Sequence, residues 1–321
     1  MRFTALSMMV TAALAATLPA AAQSYPTRPV RVVVPYAAGG NTDFTARAIG
    51  AKLAEVFGQQ VIVDNRPGGA TNIGTEIVAK APADGYLLLM GGASNAINMS
   101  LFAKPPYNTL RDFAPVILCV KGANVLTLHP SVPAKTLKDL IALARAQPGK
   151  LNFASSGIGS SNQMAGELFK VMAKINIVHV PYKGNAPALT DTLAGHVEMM
   201  FSGVPAVAPH IQTGRLRAVG IGSLKRFTAL PQVPTFDESG LKGYEATTWF
   251  GLMAPAKTPR EIIARWNTEV DKILASADIQ SRFIRDGLEP IGGTPESFGK
   301  FIREEIDKYA QVMKEANVAR Q

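Results

Sequence analysis

The chemically distinctive residues of this chain are hydrogen-bond donors gathered in short loops that follow apolar runs. The sequences YAAGG at 36–40 and SSGIGSSN at 155–162 each stand between an apolar run and an amphipathic stretch, and GGASN at 91–95 also follows an apolar run. Backbone N–H groups at the start of a helix point outward together and attract an anion without a charged side chain. Taken alone, Gly39–Gly40 fits a tight turn equally well. The repeated design favours an anion site shared between two loops.

Motifs of the common catalytic and metal sites are absent from the sequence. It contains no G-x-S-x-G, H-E-x-x-H or G-x-x-x-x-G-K-[ST] pattern, and the G-x-G at Gly157 has Asn162 in place of the third glycine. The chain has four histidines, His129, His179, His196 and His210. None has metal-ligand spacing to another His or Cys, and none is near the serine-rich loops in the sequence. We therefore expect no catalytic residue, no metal and no cofactor, and reversible binding of a carboxylate.

The composition indicates an exported globular protein with two domains. Residues 1–22 have a basic start, an apolar alanine-rich segment and an A-x-A cleavage site, as in a signal peptide, which predicts a periplasmic protein. The remaining chain is about twice the usual domain length of ~150 residues. The single cysteine, Cys119, excludes an internal disulfide and lies in an apolar run, so we predict that its side chain is buried.

The formal net charge of +9 comes from basic residues that are scattered along the chain. A nucleic-acid-binding protein would show clustered Lys and Arg with interleaved aromatic residues, so we expect no nucleic-acid partner. The basic residues are interpreted as a solvated surface, with mild steering of anionic ligands as the alternative.

The donor-rich loops need a scaffold that brings them to one side of a sheet. Apolar runs alternate with amphipathic stretches along most of the chain, which is typical of an α/β fold. Ligands of open α/β sheets bind at the carboxyl ends of the strands, where these loops stand. We place the first domain at residues 23–124 plus 248–321 and the second at 125–247, with the chain crossing between them near Asn124 and Thr247.

Two local predictions concern the elements around these loops. The helix after the first loop is predicted to be capped by Asn41, Thr42 or Asp43, whose side chains accept hydrogen bonds from free N–H groups. The apolar run 124–128 is predicted to form a strand of its own, separate from the strand that carries Cys119.

Ten short motifs, in order along the chain, resemble those of one family, the extracytoplasmic receptors of tripartite tricarboxylate transporters, known as the TctC or Bug family. The motifs are VPYAAGG (34–40) with Asp43 and Arg47, DNRPGG (64–69), PADGY (82–86), AIN (96–98), RDFAP (111–115), AGELFK (165–170), VPYKG (180–184), LAG (193–195), LP (230–231) with VPT (233–235), and WFGL (249–252) with AP (254–255). Each motif alone is weakly specific. Their order and spacing extend the resemblance over essentially the whole mature chain.

The resemblance implies a two-domain periplasmic-binding-protein fold of type II, with the ligand in a cleft between the lobes. It also implies that backbone amides and ordered waters hold one ligand carboxylate, with no catalytic residue and no metal. The positions that carry this role over are Tyr36, Ala37, Gly39, Ser94, Ser156, Gly157, Ser160 and Tyr182. The donor-rich loops add Asn95 and Ser202 to the predicted ligand-binding residues.

The sequence departs from the family pattern at three positions near the predicted site. The family often has His where this chain has Asn95 and Gln163, and commonly has Asp where it has Ser202. Loss of an acidic group favours a second ligand carboxylate over an ammonium, if Ser202 faces the cleft. Equal binding of dicarboxylates and amino acids by Ser202→Asp would contradict this hypothesis.

The resemblance implies a monomeric periplasmic receptor for a small carboxylate, either a dicarboxylate or an aromatic acid. Its partners would be the subunits of a membrane permease. Two alternatives stay open on the sequence: a receptor that reports its ligand to a membrane sensor, and an exported enzyme that processes carboxylates. The enzyme would need a paired nucleophile and base in the pocket.

Overall fold

The computed structural model describes residues 25–321, and the predicted signal peptide at residues 1–22 lies outside the described residues. The strands are β1 (Val30–Val34), β2 (Val61–Asn65), β3 (Leu87–Gly92), β4 (Phe113–Leu128), β5 (Asn152–Ser155), β6 (Val178–Pro181), β7 (Met199–Gly203), β8 (Arg217–Ile221), β9 (Thr247–Pro255) and β10 (Leu288–Pro290). The helices are α1 (Asn41–Phe57), α2 (Asn72–Ala79), α3 (Ala93–Leu101), α4 (Thr109–Asp112), α5 (Leu137–Ala146), α6 (Ser161–Ala173), α7 (Asn185–Ala194), α8 (Val204–Gln212), α9 (Arg260–Ala275), α10 (Ala277–Arg285) and α11 (Pro295–Glu315). A 3₁₀ turn at Gly69–Thr71 precedes α2.

The strands form one sheet that β4 divides into two parts. The strand order is β2-β1-β3-β9-β4-β7-β5-β6, with β8 and β10 also paired to β4. The first part of β4, at 113–123, pairs with β9, and the last part, at 124–128, pairs with β7 and β8. We call the part that contains β1, β2, β3, β9 and β10 the first lobe, and the part that contains β5 to β8 the second lobe.

The prediction of two separate strands around Cys119 and at 124–128 is wrong, because β4 is continuous over 16 residues. Lys121 and Gly122 interrupt the apolar run in the sequence, but both remain paired to β9. Register shifts between Pro115 and Ile117 and between Leu118 and Val120 absorb extra residues without ending the strand. One long strand therefore belongs to both lobes.

Each lobe has its own buried apolar residues. Val32, Val33 and Val34 of β1 are at most 2% exposed, as a continuously apolar strand between two neighbours predicts. The second lobe packs Phe153, Phe169 and other aromatic rings behind its strands. Within residues 25–321, no helix is long and apolar enough to cross a membrane.

The predicted burial of Cys119 is confirmed, since its side chain is fully buried in β4. Burial raises the pKa of its thiol to about 12, because the low-dielectric surroundings disfavour the thiolate. The thiol is therefore protonated and unreactive at neutral pH.

The capping prediction for α1 is wrong. The residue before the helix is Gly40, in an extended conformation, and no side chain caps the first turn. Asp43 is the third residue of the helix, where its carboxylate accepts a hydrogen bond from Gly39 N–H at 3.0 Å and pairs with Arg47. The side chain thus orders the loop before the helix, and the predicted cap residues lie inside it.

Candidate ligand-binding site

Parallel pairing brings the predicted loops of each lobe to one edge of its sheet. In the first lobe β1 and β3 are parallel, so the loop at 35–40 and the start of α3 lie side by side. In the second lobe β5 is parallel to β6 and β7, so the loop at 156–160 lies beside the segments that lead into α7 and α8. The free N–H groups of several helix starts therefore face the same region.

The two lobes touch each other at these edges. Ser94 Oγ, in the first turn of α3, donates to the carbonyl of Gly159 at 3.0 Å. Asn41 at the start of α1 lies close to Gly203, since Asn41 Nδ2 is 3.1 Å from the place of a Cβ on that glycine. The predicted donor loops are thus brought together across the boundary between the lobes.

Tyr36 and Ser94 meet within the first lobe. Burial raises the pKa of the Tyr36 phenol to about 12, although a hydrogen bond with Ser94 acts in the opposite direction. Ser94 lies in α3 and not in a loop, because β3 continues to Gly92 and the helix begins at Ala93. The predicted loop at 91–95 is therefore a direct strand-to-helix junction.

A chain of polar side chains connects the second-lobe loop to the place where β4 passes between the lobes. Ser156 Oγ donates to Asn162 Oδ1 at 2.6 Å, and Asn162 Nδ2 donates to Asn124 Oδ1 at 2.8 Å. Asn124 Nδ2 donates in turn to the carbonyl of Ala246, next to the start of β9. The sequence interpretation placed Asn124 at a crossing but missed this network. An asparagine between apolar neighbours in a strand is the signal for it.

Three amides that the resemblance assigns to the ligand already have partners in the protein. Gly39 N–H donates to Asp43, and Gly157 N–H donates to Ser155 Oγ at 3.1 Å. Tyr182 N–H donates to the carbonyl of Ser155. A ligand contact at these three positions would have to share or replace those hydrogen bonds.

Four predicted side chains are held by their own lobes. Asn95 is fully buried, accepts from Gly92 N–H at 2.9 Å and donates to Thr75. Ser160 is the N-cap of α6, where it accepts from Gln163 N–H.

The Tyr182 hydroxyl donates to Asp191 at 2.7 Å, and burial together with this carboxylate raises the pKa of the phenol to about 12. Ser202 is fully buried and donates to Asn185 Oδ1 at 3.0 Å, so its influence on a ligand would pass through Asn185. Ala37, in contrast, is exposed in the first loop.

A histidine does lie beside the serine-rich loop, contrary to the sequence interpretation. His179 Nε2 is 2.7 Å from Ser155 Oγ. The two residues are distant in the sequence, but β5 and β6 are parallel and set Phe153 opposite His179. Ser155 itself is fully buried, which keeps its hydroxyl from a substrate. In residues 25–321, no three His, Cys, Asp or Glu side chains are placed to hold a metal ion.

Acidification is expected to destabilise the protein through His179. Burial, and the positive charge of Lys170, lower the pKa of this imidazole from 6.5 to about 4. The unfolded chain therefore takes up a proton at a higher pH than the folded protein does. The free energy of unfolding should fall by roughly 2 kcal/mol as the pH drops from about 6.5 to about 4, allowing for the exposed part of the ring. Urea unfolding across this range should show a shallower loss in His179→Phe, and equal slopes would contradict the assignment.

The carboxylate that orders the first loop offers a second test. Burial raises the pKa of Asp43, but hydrogen bonds from Arg47 and Gly39 N–H outweigh burial, so the pKa lies below its usual value. Asp43→Ala should cost about 1.5–3 kcal/mol of unfolding free energy, since hydrogen bonds to a charged group are lost. Glu304→Ala, which breaks an exposed pair with Lys300, should cost less than about 1 kcal/mol in the same urea titrations. Equal losses would argue against an ordering role for Asp43.

Comparison with known proteins gives one consistent result. Residues 45–318 match the model of the tripartite tricarboxylate transporter family receptor, TctC. The protein BugT of Bordetella pertussis is 38% identical over 309 residues, which cover 96% of this chain and 94% of BugT.

Two solved structures have closely similar folds. R. palustris Rpa4515 with adipate is 38% identical with a TM-score of 0.86, covering 92% of this chain and 100% of that one. MatC from Rhodopseudomonas palustris with bound malate is 31% identical with a TM-score of 0.82, covering 90% and 99%. The mixed α/β fold, the strand-end donor loops and these matches lead to one conclusion: the chain belongs to the TctC/Bug family of periplasmic solute-binding receptors.

Proposed function

We propose that this protein binds a small carboxylate, most favourably a dicarboxylate, between its lobes and delivers it to a membrane permease. The observation that best supports this proposal is that the helix starts and donor loops of both lobes face one region. Ser94 and Gly159 are in contact across that region. Main-chain and hydroxyl donors suit a carboxylate and permit its release, because no buried ion pair must be broken. The relatives with adipate and malate support a dicarboxylate.

The proposed ligand-binding residues are those predicted from the sequence, but some of them would act on the ligand directly and others through a neighbouring residue. The first loop (36–40), the start of α3 and the loop at 156–160 would supply the donors. Asn95 would act by supporting α3, and Ser202 by orienting Asn185. Export to the periplasm through residues 1–22, and action as a monomer, are part of the same proposal.

The proposed motion is a hinge between domains at 23–124 plus 248–321 and at 125–247. The paired strands β4 and β9 carry the chain between these domains, which limits the connection to two adjacent segments. Such a connection allows the lobes to open and close as units. A decrease in the radius of gyration on ligand addition, measured by X-ray scattering, would test the motion.

Calorimetric titration of the mature chain with adipate, malate, benzoate and hexylamine tests the proposed ligand class. A dicarboxylate should bind, whereas the amine should not. At 100 times its dissociation constant, the bound acid should add ~2.7 kcal/mol to the free energy of unfolding. Mass spectrometry of the recovered acid distinguishes a receptor from an enzyme, since a receptor returns the acid unchanged. Absence of binding by every acid, or conversion of a bound one, would overturn the proposal.

A further inference from the structure

The Ser155–His179 pair lies at the base of the second-lobe loop. Ser155 is the last residue of β5, directly before the 156–160 loop. His179, on the neighbouring strand β6, stacks on the ring of Phe153 with centroids 4.9 Å apart and ring planes at 26°. The stack fixes the ring so that Nε2 points at Ser155 Oγ, 2.7 Å away.

Ser155 also contacts the backbone of the loop. Ser155 Oγ accepts the backbone N–H of Gly157 at 3.1 Å, and the carbonyl of Gly157 lies 3.3 Å from the same oxygen. Gly157 has φ +131°, a conformation that favours glycine. The serine hydroxyl therefore contacts two successive peptide groups, through the N–H of Gly157 and through its carbonyl. The carbonyl also accepts from Ser160 Oγ at 2.7 Å, so the orientation that depends on Ser155 is that of the peptide group with the Gly157 N–H.

The direction of the serine proton follows from the tautomer of His179. With the ring proton on Nδ1, the single hydroxyl hydrogen goes to Nε2 at 2.7 Å and not to the Gly157 carbonyl, which is 3.3 Å away and already accepts from Ser160 Oγ. The hydroxyl thus donates to an unprotonated Nε2, which leaves its oxygen free to accept Gly157 N–H. A proton on Nε2 would remove this acceptor and turn the hydroxyl hydrogen towards the Gly157 carbonyl, where it would compete with Ser160 Oγ.

We infer that His179 is a positioning residue for the ligand loop, which it orders through Ser155 and the Gly157 amide. The inference rests on the proposed function for its effect on ligand affinity, but not for its effect on the loop. A nucleophile–base role does not fit, because the serine oxygen is buried and is turned to its own backbone.

Burial, and secondly a positive charge on the packed helix, keep the ring in the unprotonated state. Lys170 of α6 is the charge that acts on His179, and it is paired with the buried carboxylate of Glu167 at 2.7 Å. The groups that β5 turns towards the ring, Phe153 and Ser155, are uncharged. The loop is therefore held in one arrangement at neutral pH, and strong acid would release it.

Amide hydrogen exchange of Gly157, in the mature chain without ligand, tests the inference. His179→Phe keeps an aromatic ring for the stack and removes the acceptor, and Ser155→Ala removes the hydroxyl. Each should speed exchange at Gly157 about tenfold, the equivalent of one hydrogen bond of ~1.4 kcal/mol. Because His179 acts through Ser155, the double variant should exchange no faster than either single variant.

A matched control comes from another close Ser–His pair, His129 with Ser131 at 2.7 Å. His129 follows β4, and its backbone N–H donates to the carbonyl of Glu198, just before β7. This places it at the opposite edge of the sheet from the ligand loops. His129→Phe should leave Gly157 unchanged. Should Ser155→Ala fold poorly, His179→Gln, which retains an acceptor, replaces it and should restore part of the protection lost in His179→Phe.

Adipate titration of the same variants separates the effect of His179 on the loop from its effect on ligand affinity. If wild-type protein binds adipate, His179→Phe and Ser155→Ala should each weaken binding about tenfold. If wild-type protein binds no acid, the proposed function fails while the exchange result still stands. Unchanged exchange at Gly157 in His179→Phe, or additive effects in the double variant, would overturn the inference.

Discussion

Gly159→Val should prevent the lobes from closing and weaken ligand binding roughly hundredfold, as expected for overpacking of up to ~3 kcal/mol in the closed state. A Cβ at Gly159 would stand 2.9 Å from Leu101 Cδ2 and 3.2 Å from Asn98 Oδ1, both on α3 of the other lobe. The larger valine side chain would overlap these atoms. In the proposed open state the second-lobe loop would be separated from α3, so the clash would penalise the closed state alone.

Backbone strain must be separated from this clash, because Gly159 has φ +76° and valine resists that conformation. Gly214→Val is the matched control: Gly214 has φ +71° and nothing within 4 Å of a Cβ. Both variants should lose similar stability in urea, whereas only Gly159→Val should lose adipate affinity. X-ray scattering should also show that adipate no longer compacts the Gly159 variant. Wild-type affinity in that variant would mean that the Ser94–Gly159 contact is not part of the bound state.

The sequence predicted those features of the fold that depend on local patterns. Apolar runs ending in small polar residues located the strand ends of β1 and β5, and the family motifs identified the arrangement of the whole chain. A local pattern failed at β4, where Lys121 and Gly122 resemble the end of a strand but stay paired. It failed again at α1, because the helix begins at Asn41 and Gly40 takes the capping position, so all three predicted cap residues lie inside the helix.

The contacts that build the candidate site come from residues far apart in the sequence. His179 reaches Ser155 because two strands are parallel in one register, and Asn162 reaches Asn124 because α6 packs beside β4. No spacing rule within the chain encodes these pairs. Sequence reasoning could therefore place the donor loops at one edge of the sheet but could not find the side chains that hold them.

Asn124→Ala should destabilise the protein by about 1–3 kcal/mol. It leaves the Asn162 amide group without its acceptor, and it leaves the Ala246 carbonyl with only the longer bond from the backbone N–H of residue 124, at 3.4 Å. Asn124 is 1% exposed, and its amide binds the Ala246 carbonyl at 3.1 Å and Asn162 Nδ2 at 2.8 Å. The backbone carbonyl of Asn124 accepts a hydrogen bond from Gly222 N–H at 2.8 Å. One side chain thus joins the outgoing strand β4, the segment before the returning strand β9, and the helix that carries the ligand loop.

The same variant should alter the ligand site as well as stability, since Ser156 depends on Asn162 and Asn162 on Asn124. Adipate affinity should fall about tenfold, the equivalent of one lost hydrogen bond. Asn162→Ala is the comparison: it breaks the bonds to Ser156 and Asn124 but leaves the bond from Asn124 to Ala246. It should therefore weaken adipate binding to the same degree while the link from Asn124 to the segment before β9 stays in place. If Asn124→Ala loses stability but keeps its affinity for adipate, then Asn124 links the crossing strands and does not order the ligand loop.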